Sequence, residues 1–218
     1  MQLKNIPDHH IRKHFNIMLA RTVMELRGIT CFELENQPLP QKNLCHSKSF
    51  GQSISKYQDL REAVVSYATA AAAKLRRQKL IAQSVSVFIQ TSRFNQKTNQ
   101  YANSASLPLT PPSSDTSAIV QSATKVLERI YRTGYMYNKC GILLHDLIPE
   151  TEIQPDMFAT QSPRNKALSE AMDKINSLHG PNSINLAAAG SRAPKWKMSR
   201  KYYSARYTTQ WPEIPVVR

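Results

Sequence analysis

What this 218-residue chain has little of narrows its class first. No apolar run reaches the roughly 18 residues that a membrane helix needs. The N-terminus, Met1-Gln2-Leu3-Lys4-Asn5-Ile6-Pro7, has no hydrophobic signal core. Both absences point to a cytoplasmic protein with no membrane partner. There are three cysteines, Cys31, Cys45 and Cys140. Odd in number and far apart, they make neither a disulfide framework nor a zinc pattern and read as buried free thiols. Acid is scarce too: 15 Asp and Glu stand against 29 Lys and Arg. The acids are scattered, so paired carboxylates of the kind that hold two metals for phosphoryl transfer are not in view. His10 and His14 lie one helical turn apart, but no third ligand accompanies them, and no metal site is expected. Cys45-His46 and Cys140 suit paired strands, yet no base to activate a thiolate can be located.

What is present is a core and a charge. Apolar residues make up 41% of the chain. The net charge of +14 and a pI of about 9.9 favour a polyanionic partner. By charge alone a membrane surface would compete, and a ribosomal or RNA surface is the third candidate, although no membrane partner is expected. Prolines number 13 against 6 glycines and cluster, which suggests modules joined by stiff linkers.

Taken in order, residues 9–27 read as a helix, with Ile11, Phe15, Met18, Leu19 and Val23 apolar and Gly28 as its C-cap. Residues 29–41 form a linker, because Pro38 and Pro40 favour an extended path. Then come a strand over 44–50, a helix over 58–80 and strands over 83–91 and 101–109. A helix over 116–133 follows, capped by Ser114 or Asp115 and ended by Gly134, and then a strand over 136–148. The fold class is therefore α+β, in the order β-α-β-β-α-β. A four-stranded antiparallel sheet carries both helices on one face, and the other face is polar and wet. Residues 150–163 are a second linker. A module over 164–218 holds a helix at 165–178, a small strand near 184–188 and a basic aromatic end.

The stretch Leu44-Cys45-His46-Ser47-Lys48-Ser49-Phe50-Gly51 organises the site. Ser47 and Ser49 share one face of a strand, Lys48 lies between them, and Gly51 lets backbone come close to a ligand. Hydroxyls, backbone amides and an ammonium grip phosphate well. The same residues would equally make an edge strand with a solvated lysine. Thr91, Ser92 and Arg93 after the second strand, and Asn103 and Ser104 in the third, are the next candidates, against a plain solvated face. In the tail, Trp196 and Trp211 are expected to form the last module's core. Lys195, Lys197, Arg200 and Lys201 are expected to face solvent or DNA.

Several of these runs resemble a known family. Ile11-Arg12-Lys13-His14-Phe15-Asn16, Arg21-Thr22-Val23-Met24-Glu25-Leu26-Arg27-Gly28 and Ser47-Lys48-Ser49-Phe50-Gly51 are similar to UmuC-type Y-family translesion DNA polymerases, the catalytic subunits of bacterial DNA polymerase V. Asn103-Ser104-Ala105-Ser106 and Arg206-Tyr207-Thr208-Thr209 fit the same family. The resemblance covers only the C-terminal half of such a polymerase. It implies a thumb remnant at 1–28, a DNA-gripping little finger at 42–149 and a small module at 164–218. It implies sequence-independent DNA binding through Ser47, Lys48, Ser49, Phe50, Gly51, Thr91, Ser92, Arg93, Asn103 and Ser104. The palm and fingers, with magnesium and dNTP, would lie outside this chain. That leaves no catalytic residue or cofactor here, unless a separate chain supplies them to an active polymerase. An RNA-binding α+β protein is the remaining alternative. In the second linker, Gln154-Pro155-Asp156-Met157-Phe158 resembles the peptide by which bacterial polymerases dock on the sliding clamp. Met157 stands where Leu is more common, and Pro155 departs from the usual small or aliphatic residue. The family also implies a processed UmuD dimer and a RecA filament as partners in the SOS response to DNA damage.

Overall fold

The computed structural model describes residues 3–33, 40–94, 99–152, 163–190, 194, 196–198 and 204–215. The chain forms two compact units, 1–40 and 41–218.

In the first unit the expected single helix is two, α1 (Asp8–His14) and α2 (Ile17–Leu26). Asn16 makes the break. Its side chain accepts the Leu19 N–H at 3.0 Å and caps α2, a role in which Asn outcompetes continued helix. Ile11, Ala20 and Val23 form a small core with Ile6 and Leu19 against it. Arg27 ties the unit together, donating to the Lys4 and Ile6 carbonyls and pairing with Asp8 at 2.6 Å. Gly28 follows at φ +86°, where a glycine costs least.

The second unit is built on β1 (Leu44–Ile54), α3 (Tyr57–Arg77), β2 (Leu80–Thr91), β3 (Ala102–Ser113), α4 (Thr116–Ile130) and β4 (Tyr137–His145). The strands lie in the order β1-β4-β2-β3, every pair antiparallel, and a two-residue β5 (Ile148–Pro149) joins the start of β2. This is the expected α+β sheet with one short strand added. Alternation decides which side chains face the helices. Val85, Val87 and Ile89 of β2 and Cys140, Ile142 and Leu144 of β4 are at most 1% exposed. From α3 they meet Leu60, Val64, Ala68, Ala71 and Leu75, and from α4 Ile119, Ala123, Leu127 and Ile130. Asp115 settles the cap of α4 by accepting the Ala118 N–H. The helix stops at Ile130, earlier than expected, where tyrosines take over. Tyr101 donates to the Ile130 carbonyl, Tyr131 to the Ser55 carbonyl and Tyr137 to the Arg132 carbonyl.

The C-terminal segment packs into this unit. Helix α5 (Pro163–Leu178) sets a polar side against it. Asp173 takes two hydrogen bonds from Arg76, at 2.7 and 2.9 Å, and Ser169 donates to Asp115 at 3.1 Å. Arg76 reaches on to the Ser114 carbonyl and Thr116 Oγ1. Trp196 is buried in the sheet's own core, edge-on to Phe50 and Tyr67, and its carbonyl accepts the Gly51 N–H. Two expectations fail here. Trp211 is 86% exposed and belongs to no core. The strand near 184–188 is absent, and Ala187–Ala189 is a short 3-10 turn. The cause is local, since the Asn176 side chain takes both backbone groups of Ile184 that a sheet ladder would use.

Candidate nucleic-acid interface

Opposite the helices the sheet carries a bare face whose side chains line up across four strands. One cross-strand row is Ser47, Gly141, Phe88 and Ser104; the next is Ser49, Lys139, Gln90 and Ala102. A third runs through Cys45, Leu143, Ser86 and Ser106. None of the strands β1 to β4 contains an Asp or a Glu. Hydroxyls therefore come from three strands, with an amide from Gln90 and an ammonium from Lys139. Ser86 Oγ lies 2.6 Å from His145 Nε2, a hydrogen bond that fixes both on this face. Chemically the face can donate to phosphate oxygens at many points. It has no arginine fork to read a base edge.

A family profile described as the impB/mucB/samB family C-terminal domain matches residues 41–157, the span that holds the whole sheet and both its helices. The chain belongs to the impB/mucB/samB family. A second profile, a domain of unknown function, matches residues 166–217. Protein UmuC of Salmonella typhimurium is 39% identical over 207 residues, covering 94% of this chain and 49% of the relative. Protein SamB of Salmonella typhimurium is 37% identical over 220 residues, covering 100% and 51%. Protein MucB of Escherichia coli is 39% identical over 208 residues, covering 94% and 49%. The chain thus spans about half the length of the curated relatives it matches. The UmuC-like resemblance in the sequence and the family match agree.

Within this impB/mucB/samB domain, the site residues expected from sequence divide between the two faces. Ser47, Ser49 and Ser104 lie on the bare face. Lys48 lies on the helix side with His46, an imidazole held below its ordinary pKa by burial and by the nearby charges of Lys48 and Lys74. Lys48 therefore faces away from the two serines. Phe50 is buried against Trp196, and its side chain cannot reach a ligand. Thr91 is 3% exposed and its hydroxyl is occupied by the backbone of Tyr101. Both are corrected to structural roles. Gly51 is exposed, but its N–H is committed to Trp196. Arg93 is exposed beside a shallow pocket of about 260 Å³ that Gln90, Gln100 and Tyr101 also line, and the Ser92 carbonyl accepts from Gln100. Asn103 turns to the helix side and donates to Tyr101 Oη. Residues 154–158 lie outside the described residues, as do Lys195, Arg200 and Lys201.

Sequence reasoning missed Lys139 and His145. Their signal was the alternation Lys139, Gly141, Leu143, His145 in β4, together with the lack of acid in every strand. The expectation of buried thiols holds only for Cys140, since Cys45 is exposed and Cys31 half-buried. Burial pushes the Cys140 thiol pKa far up. Among the described residues no three His, Cys, Asp or Glu side chains converge to hold a metal, and none of the helices is long and apolar enough to cross a membrane.

Proposed function

We propose that this chain is the DNA-holding part of a UmuC-type, error-prone translesion polymerase. The bare sheet face lies along DNA and holds its sugar-phosphate backbone. The observation that carries this reading is the acid-free face, with hydroxyls aligned across β1, β2 and β3. Carboxylates there would repel phosphate, whereas serine hydroxyls and Lys139 can hydrogen-bond to it at any sequence. A net charge of +14 draws the polyanion in. The grip is therefore independent of sequence and weakens with salt. Arg93, exposed past the end of β2, extends it beyond the sheet.

Nucleotide addition would depend on a palm and fingers that hold magnesium and dNTP, and no residue here is assigned that work. Gln154, Pro155, Asp156, Met157 and Phe158 are proposed as a sliding-clamp peptide, with Gln154 bonding at a pocket rim and Met157 and Phe158 filling it. The processed UmuD dimer, the RecA filament and a place in the cytoplasm come with the family reading. The test is a DNA-binding titration at two salt concentrations beside primer extension on a lesion-containing template. Salt-sensitive binding without extension is expected. Extension by this chain alone, or absence of binding at low salt, would overturn the reading.

A further inference from the structure

Phe88 is the one phenyl ring among the hydroxyls and amides of the bare face, and it is half-buried there, on the side away from the core. Its ring is laid across the sheet onto the neighbouring strand. The residue opposite it is Gly141, and a Cβ at that position would collide with Phe88 Cζ and Cε1 and with Ser47 Cβ. Glycine thus makes a notch into which the end of the ring drops. The Lys139 ammonium stands over the same ring, 5.8 Å from its centroid, within cation–π range. Ser104, on the other side of Phe88 in the same row, leaves that flank polar and open.

This arrangement answers no packing need of the helix-side core. It matches instead the parts of a single nucleotide: a π-face to set against the ring and a phosphate to set against the ammonium. A regular duplex turns its phosphates outward and keeps its bases stacked inside, so it can use the ammonium and the hydroxyls but not the ring. An unpaired strand offers both, and base–aromatic stacking tolerates any sequence. Resting on the DNA-holding reading, we propose that Phe88, seated on Gly141 and flanked by Lys139, is a stacking seat for one unpaired nucleotide. The face then prefers single-stranded DNA, or a frayed junction, to uniform duplex.

The test uses the full chain and two fluorescein-labelled probes, a short oligothymidine and a duplex of the same length, followed by anisotropy. Phe88→Leu keeps an apolar side chain and removes the ring. It should weaken oligothymidine binding about tenfold while leaving the duplex within about twofold. Its urea midpoint should move only slightly, because the ring packs outside the helix-side core and only its cross-strand contacts are lost. Gly141→Ala should displace the ring and produce the same selective loss, and the double variant should lose no more than either single one. Should Gly141→Ala fail to fold, Phe88→Leu alone still decides. Lys139→Ala should weaken both probes and lower the salt slope by about one. Unchanged oligothymidine affinity in Phe88→Leu, or an equal loss on both probes, would overturn the seat and leave the DNA-holding reading intact. If the unaltered chain binds neither probe, that reading falls and the seat with it.

Discussion

Strand β2 presents two different surfaces from one run of residues. Val85, Val87 and Ile89 point to the helices and are at most 1% exposed, while Ser84, Ser86, Phe88 and Gln90 point the other way and stay partly open. The ladder hydrogen bonds are shared, so the difference lies wholly in what each row of side chains meets. Apolar burial on one face supplies stability. The other face contributes little to folding and is free to be chosen for binding. Substitutions should accordingly separate into those that unfold the unit and those that change only what it holds.

The largest effect should come from Trp196, because it is where the C-terminal segment enters the packed side. Trp196→Ala should cost about 3–5 kcal/mol in urea denaturation of the full chain. A near-neutral result would mean that the segment rests on the sheet without stabilising it. Next, Ile142→Ala should cost about 2–4 kcal/mol, against about 0.5 kcal/mol or less for Ser106→Ala on the bare face. Equal costs would dissolve the distinction between the faces.

A smaller effect is tied to pH. The His46 imidazole, pressed on the helix side by burial, Lys48 and Lys74, titrates below its ordinary 6.5 when folded. As pH falls through 6.5 the unfolded chain takes up that proton first. Stability is therefore full above that pH and declines below it, until the folded imidazole is protonated as well. His46→Gln should flatten the difference between urea midpoints measured near pH 7.5 and near pH 5.5. A variant with the same pH dependence as the unaltered chain would remove His46 from this role. The smallest perturbation is chemical labelling. Cys45 on the bare face should alkylate readily in the native chain, and Cys140 on the packed face only after denaturant is added, as peptide mass mapping would read.

Much of this division was legible in sequence. Period-two alternation in 83–91 and the apolar stripes of 58–80 and 116–133 are local signals, and Asp115 stands directly before its helix as a capping residue. The same alternation, counted from buried Leu44, already puts Lys48 and Phe50 on the packed side and Ser47 and Ser49 on the other. Reading the eight residues as one phosphate grip overrode that count. The alternation in β4 already sets Lys139, Gly141 and His145 on one face, but which residues stand beside them is fixed by the register of β4 between β1 and β2 and could not be read locally. The C-terminal segment was hardest to read. Its contacts join distant positions, as in Arg76 with Asp173 or Phe50 with Trp196. Its helix also turns against pattern, burying Ser169 while Leu168 and Leu178 remain 58% and 78% exposed.

The outer strand β3 carries Pro108, Pro111 and Pro112, and these have a consequence beyond the fold of one chain. A sheet edge with a full row of amide donors invites another strand to add itself, and from there to fibrils. Three positions of β3 have no N–H to offer, which discourages such growth. At the opposite edge, the Trp196 carbonyl caps the Gly51 amide where β1 leaves its register with β4. A polyanion concentrates many copies of a basic protein along its length. Under the proposed DNA-holding reading, edges blunted in this way would let those copies crowd side by side without polymerising into a continuous β-structure.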